Sequence, residues 1–167
     1  VLALVARAQA IAVNGRAGEV VGARGRVGSL LLRAGGGELA AVPRGVAPGG
    51  LSPQGTPIIV ATPASALYDV LRATPRDRLE DVVLLCNGDA RARAAAVVGA
   101  AAAKGLTAGC LFFGVLRAGA APTFGAGAPR TALAGPHAAR VAALIESTGP
   151  RCEVVADLEA ASRLKMV

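Results

Sequence analysis

The stretch Val20-Val21-Gly22-Ala23-Arg24-Gly25-Arg26-Val27-Gly28-Ser29 decides how this chain is read. Residues 19–22 read as a short strand, and residues 25–34 read as a helix that opens directly from it. Glycines between the two let the backbone turn sharply and come close to an anion where a Cβ would collide. The first turn of the helix presents N–H groups that no carbonyl of the helix can satisfy, together with the positive end of its dipole. Strand, glycine turn and helix tip in that order make a cradle for a pyrophosphate. Gly28 permits close packing of the helix on the strand. The spacing is G-x-x-G-x-x-G, with Ala23 standing where the stricter G-x-G-x-x-G pattern has its first glycine.

Outward from the turn, the glycines at 35–37 end the first helix. Residues 38–42 read as a second strand, stopped by Pro43. Residues 44–56 are rich in Gly and Pro and read as a long loop. Residues 57–61 read as a buried strand, and residues 63–73 as a helix with Pro63 at its first position, where a missing N–H costs little. A strand at 81–86, an Ala-rich helix at 89–103 and a strand at 109–115 follow. Residues 123–127 and 131–134 suggest a hairpin at the sheet edge. Residues 136–148 read as an amphipathic helix and 151–155 as a last strand, after which Asp157 caps a helix running to residue 167. This alternation predicts an α/β fold: a Rossmann-type, mostly parallel sheet with helices on both faces and a small antiparallel edge. The expected organisation is an N-terminal extension at 1–18, a Rossmann domain at 19–156, and at 157–167 the start of a helix leading to a second domain.

The 167 residues suffice for one such domain. Apolar residues make up 53% and aromatic ones 2%, so Ala, Val, Leu and Gly do the packing. A net charge of +7 favours anionic partners, a phosphorylated cofactor among them. Nucleic acid is disfavoured, because there is no dense Lys/Arg run and one Tyr, three Phe and no Trp offer few platforms for bases. No segment reaches the ~18 apolar residues of a membrane span. Cys86, Cys110 and Cys152 are odd in number and form no CxxC, which argues against a disulfide framework and against a zinc site. The single histidine, His137, follows Pro136 at a helix start and reads as a surface or first-turn residue. Residues 1–18 contain Arg7 and Arg16 and no acid, the bias of an organelle transit peptide; an extra N-terminal helix is the other reading. The expected location is the cytoplasm or an organelle, plastid or mitochondrion, and not the secretory route.

Arg44 stands just after the second strand, where dinucleotide folds meet the adenosine ribose. An acid there selects NAD, whereas an arginine accommodates the 2′-phosphate of NADP. No acid occurs from Pro43 until Asp69, and Arg24 and Arg26 add positive charge around the phosphates. NADP is therefore the expected cofactor. Asn87-Gly88 ends a buried apolar run at the carboxyl edge of the sheet, where open α/β folds bind ligands. Asn-Gly is also a turn dipeptide anywhere.

In this order the pieces resemble the ketopantoate reductase (2-dehydropantoate 2-reductase) family, over residues 19–167. The resemblance is carried by Val27-Gly28-Ser29, Val42-Pro43-Arg44-Gly45, Ile59-Val60-Ala61-Thr62, Leu85-Cys86-Asn87-Gly88, residues 114–127 and Arg163-Leu164-Lys165-Met166. It implies the N-terminal NADP-binding domain of an enzyme in which NADPH delivers hydride to the keto carbon of a small 2-keto acid. It implies that Gly22, Gly25, Arg26, Val27, Gly28, Arg44, Ala61, Thr62 and Asn87 hold the cofactor. It further implies that Lys165 protonates the developing alkoxide, and that Asn87 helps hold nicotinamide, substrate and lysine together. An ammonium beside a polarised carbonyl can both stabilise the charge and donate the proton. Two other readings stand beside this one. The Gly25-Arg26-Val27-Gly28 turn also resembles other NADP-dependent reductases, of dihydrodipicolinate or opine type. A dinucleotide-binding domain without catalysis, acting as a sensor, is the second.

Overall fold

The computed structural model describes residues 15–165, with the backbone alone for Leu164 and Lys165. The transit-peptide-like expectation for residues 1–18 lies almost wholly outside the described residues. The elements in chain order are β1 (Gly18–Val21), α1 (Arg26–Ala34), β2 (Leu39–Ala41), β3 (Ile58–Val60), α2 (Leu67–Ala73), β4 (Val82–Leu84), α3 (Ala90–Val98), α4 (Ala100–Gly105), β5 (Thr107–Cys110), β6 (Thr131–Ala134), α5 (Ala138–Glu146), β7 (Cys152–Val154) and α6 (Glu159–Lys165). Short 3-10 turns at Ala64–Ala66 and Arg76–Asp81 lead into α2 and β4.

The seven strands among the described residues form one sheet, in the order β2-β1-β3-β4-β5-β6-β7. The first five are parallel, β6 runs antiparallel to β5, and β7 pairs parallel with β6. The central strands are β-branched and apolar, and Ile58, Ile59, Val60, Val82 and Val83 are fully buried. Such strands are stable only when both faces of the sheet are covered. Residues alternate accordingly. Ile58, Val60, Val82 and Leu84 pack with Leu67, Leu71, Ala94 and Ala103 of α2, α3 and α4. Val20, Ile59, Val83 and Leu85 pack with Leu31 of α1 and with Val141 and Ile145 of α5. This is the Rossmann-type sheet expected, with a two-strand reversed edge.

Three local expectations are corrected. The Ala-rich helix at 89–103 is two helices, because Gly99 adopts φ +85° and ψ 154°, a conformation outside the helix region, and starts a second turn direction. The hairpin at 123–127 and 131–134 does not form. Residues Thr131–Ala134 lie inside the sheet between β5 and β7, and Thr123 makes an isolated antiparallel bridge to Gly114 instead. The strand placed at 109–115 runs earlier, over Thr107–Cys110.

The loop at 44–56 is pinned at the amino edge of the sheet. Glu19, fully buried in β1, accepts from the amides of Gly49 (2.8 Å), Leu51 (2.7 Å) and Ser52 (2.7 Å). The buried Arg78 donates to Asp81 Oδ2 (2.6 Å) and to the carbonyls of Ser52 (2.7 Å) and Gly49 (2.5 Å). Asp81 Oδ1 in turn meets His137 Nε2 at 3.2 Å. The histidine thus sits at the start of α5, as a residue that joins elements.

Candidate functional site

The chain passes from β1 to β2 on one side, then crosses back to β3 on the other side of β1. The carboxyl ends of β1 and β3 therefore flank a topological switch point, the place where open α/β sheets bind ligands. Gly22 and Ala61–Thr62 border that crevice, held together as Ala61 donates its amide to the Val21 carbonyl (3.0 Å).

The glycines there have steric reasons. Gly22 has φ +83°, and a Cβ on it would lie 2.7 Å from the Ala61 carbonyl oxygen. A Cβ on Gly28 would lie 2.2 Å from the Gly22 carbonyl oxygen. The Gly25 amide donates to the same oxygen at 2.8 Å, closing the turn. Gly25 is the N-cap of α1, with no side-chain cap and no acid in the first turn. The first amide in the helix ladder is that of Ser29, donating to the Gly25 carbonyl (3.0 Å). The amides of Arg26, Val27 and Gly28 are thereby left pointing out of the helix tip.

Two further observations fit an anionic dinucleotide to these residues. Thr62 Oγ1 is buried without a hydrogen-bond partner, beside the turn. Arg24, Arg26 and Arg44 are all exposed. Arg44 follows β2, whose continuation Val42 donates to the Val20 carbonyl at 2.9 Å, so it stands one strand over from the turn. From β2 to β4 is three strand spacings, roughly 14 Å at ~4.8 Å each, a span suited to an extended dinucleotide.

At the far end of that span Asn87 is exposed in the turn after β4. It lines a cleft of about 680 Å³ together with Cys86, Cys110, Ser162 and Arg163. Lys165 is the last residue of α6, one turn beyond Ser162. The fold thus brings the element that carries Lys165 to the cleft that Asn87 lines, although 78 positions separate the two residues (165 minus 87).

Some contributors have no local signature in the sequence. The segment after β5 folds back over α1: the Gly119 amide donates to Ser29 Oγ (3.2 Å), and Arg33 donates to the carbonyls of Gly119 (2.6 Å) and Ala120 (3.0 Å). These partners are 86 to 90 residues apart, beyond the reach of periodicity or motif.

No protein-family model matches the chain, and no curated protein does. Solved structures do match. The PanE/ApbA family ketopantoate reductase from Ralstonia eutropha JMP134 superposes with a TM-score of 0.56 at 16% identity, covering 89% of this chain and 60% of that one. A candidate ketopantoate reductase from Ralstonia solanacearum MolK2 superposes with a TM-score of 0.54 at 18% identity, covering 91% of this chain and 64% of that one. In fold, the chain is similar to ketopantoate reductases over most of its own length and over less than two thirds of theirs.

Proposed function

We propose that this chain is the NADP(H)-binding domain of a ketopantoate-reductase-like oxidoreductase that reduces a small 2-keto acid by hydride transfer. The observation that carries the proposal is the turn at the switch point, where neither Gly22 nor Gly28 has room for a Cβ. Such a turn brings backbone close to a pyrophosphate and helix close to strand.

In this reading the amides of Arg26, Val27 and Gly28 hold the pyrophosphate, and Ala61 and Thr62 line the crevice beside it. The unpartnered Thr62 hydroxyl gains a hydrogen bond from the ligand. Arg44 takes the 2′-phosphate in charge-assisted hydrogen bonds. When bound, the dihydronicotinamide supplies the hydride. Asn87 orients the reacting groups in the cleft, and the Lys165 ammonium donates a proton to the carbonyl oxygen as negative charge develops there. Residues 157–167 begin the connection to a second domain.

Fluorescence titration of the purified chain with NADPH and with NADH tests the reading. Saturable binding is expected, with NADPH favoured about tenfold or more, equivalent to about 1.4 kcal/mol or more, close to the lower end of what one hydrogen bond to a charged group contributes. Absent saturation, or tighter binding of NADH, refutes it.

A further inference from the structure

Cys86 and Cys110 are separated in sequence by α3 and α4, and the sheet returns them to neighbouring positions. Leu84 of β4 lies opposite Ala108 of β5. One residue on, Leu85 still donates to the Val60 carbonyl at 3.1 Å, so the chain continues along the sheet. Leu85 also stays beside β5, since a Cβ on Gly109 would lie 2.7 Å from Leu85 Cδ2. Extended two residues past the Leu84–Ala108 pair, the same register would set Cys86 opposite Cys110. Both side chains are on one face: Cys86 belongs to the core cluster that contains Leu84 and Ala108, and Cys110 packs against that cluster. Neighbouring strands are ~4.8 Å apart, within the Cα separation of ~4.4–6.8 Å that a disulfide spans. Both cysteines line the cleft beside Asn87 and carry thiols in this structure.

We propose that Cys86 and Cys110 are a dithiol–disulfide pair, a redox modification site in the wall of the cleft. The assignment rests on strand register and not on the cofactor reading, so a failed NADPH titration leaves it standing. Its reagent is a low-molecular-weight disulfide. The Cys110 thiolate attacks one sulfur of the reagent, forming a mixed disulfide and releasing one thiolate, which takes up a proton. The Cys86 thiol then loses its proton and attacks Cys110 Sγ, forming the Cys86–Cys110 bond and expelling the second thiol. Two electrons pass from the dithiol to the reagent, which leaves as two thiols.

The order follows from access. Cys110 is partly exposed, with its Sγ donating to the Ala161 carbonyl at 3.8 Å. Cys86 is buried, and burial raises its pKa, so it serves as the second, internal nucleophile, for which proximity offsets the small thiolate fraction. Cys152 lies on β7 in the other core cluster, and burial together with Glu146 pushes its thiol up to about 11. It takes no part.

The test is peptide mapping of the folded, full chain after treatment with glutathione disulfide and alkylation of the remaining thiols. The expected product links tryptic peptides 79–91 and 105–117 with the loss of two hydrogens. It forms in Cys152→Ser and is absent from Cys86→Ser and Cys110→Ser. Cys86→Ser instead accumulates the glutathione adduct on Cys110. Both thiols still alkylated after treatment, stable separate adducts on Cys86 and Cys110 without the link, or a link through Cys152 would each overturn the assignment.

Discussion

A methyl group at position 28 would lie 2.2 Å from the Gly22 carbonyl oxygen, and no rotamer relieves a clash of Cβ with backbone. Gly28→Ala must therefore push α1 off the turn. We expect it to raise the Kd for NADPH about tenfold or more and to lower stability by about 1–3 kcal/mol, as overpacking does, read by titration and by denaturant melts. Gly99→Ala is the contrast. Nothing lies within 4 Å of a Cβ there, so only the strained φ of +85° opposes it. It should cost about 1–3 kcal/mol and leave NADPH affinity unchanged. Arg44→Ala addresses selectivity alone: NADPH affinity falls about tenfold and NADH affinity holds, so the ratio of the two Kd values reads the 2′-phosphate contact. The turn and Arg44 are visible in sequence because their information is local, a few residues of fixed type next to a strand end. Thr62 is marked in the sequence only by the family resemblance, and its orphaned hydroxyl shows only in its burial.

Elements show what sequence pattern conveys and what it does not. Two-sided burial of β3 and β4 is legible in the runs at Ile58–Val60 and Val82–Leu84, since only covered parallel strands tolerate continuous apolar residues. The break at Gly99 is not legible, because the alanines at 94–96 and 100–103 favour helix on either side and a lone glycine is tolerated within one. The place of β6 is also hidden, because its antiparallel partner β5 lies beyond the intervening 111–130 segment. The loop at 44–56 shows the same limit. Its glycines and prolines mark it as irregular, while its anchors, Glu19 and Arg78, are distant in sequence and are charged residues in the interior. Arg78→Ala would leave Glu19 and Asp81 buried without their cation, at a cost of about 3–5 kcal/mol. Urea melts should show that loss. An equally stable variant would mean that the loop's amide donors suffice alone.

At the scale of the whole molecule, one sheet edge collects the candidate chemistry. The carboxyl ends of β1, β2 and β3 carry the glycine turn, Arg44 and Thr62, and those of β4 and β5 open the cleft of Asn87 and the two cysteines. The amino edge holds the Glu19–Arg78–Asp81–His137 network, which ties loop to sheet. Binding at one edge and fastening at the other follow from the parallel sheet, which points all its first five strands the same way. Amide shifts in a ¹⁵N-labelled chain titrated with NADP+ test the placement most directly. The largest shifts are expected on Gly22, Gly25, Arg26, Val27 and Gly28, with Arg44 and Thr62 following at the same ligand concentration. Saturable shifts confined to the amino edge, with the glycine turn unmoved, would contradict it.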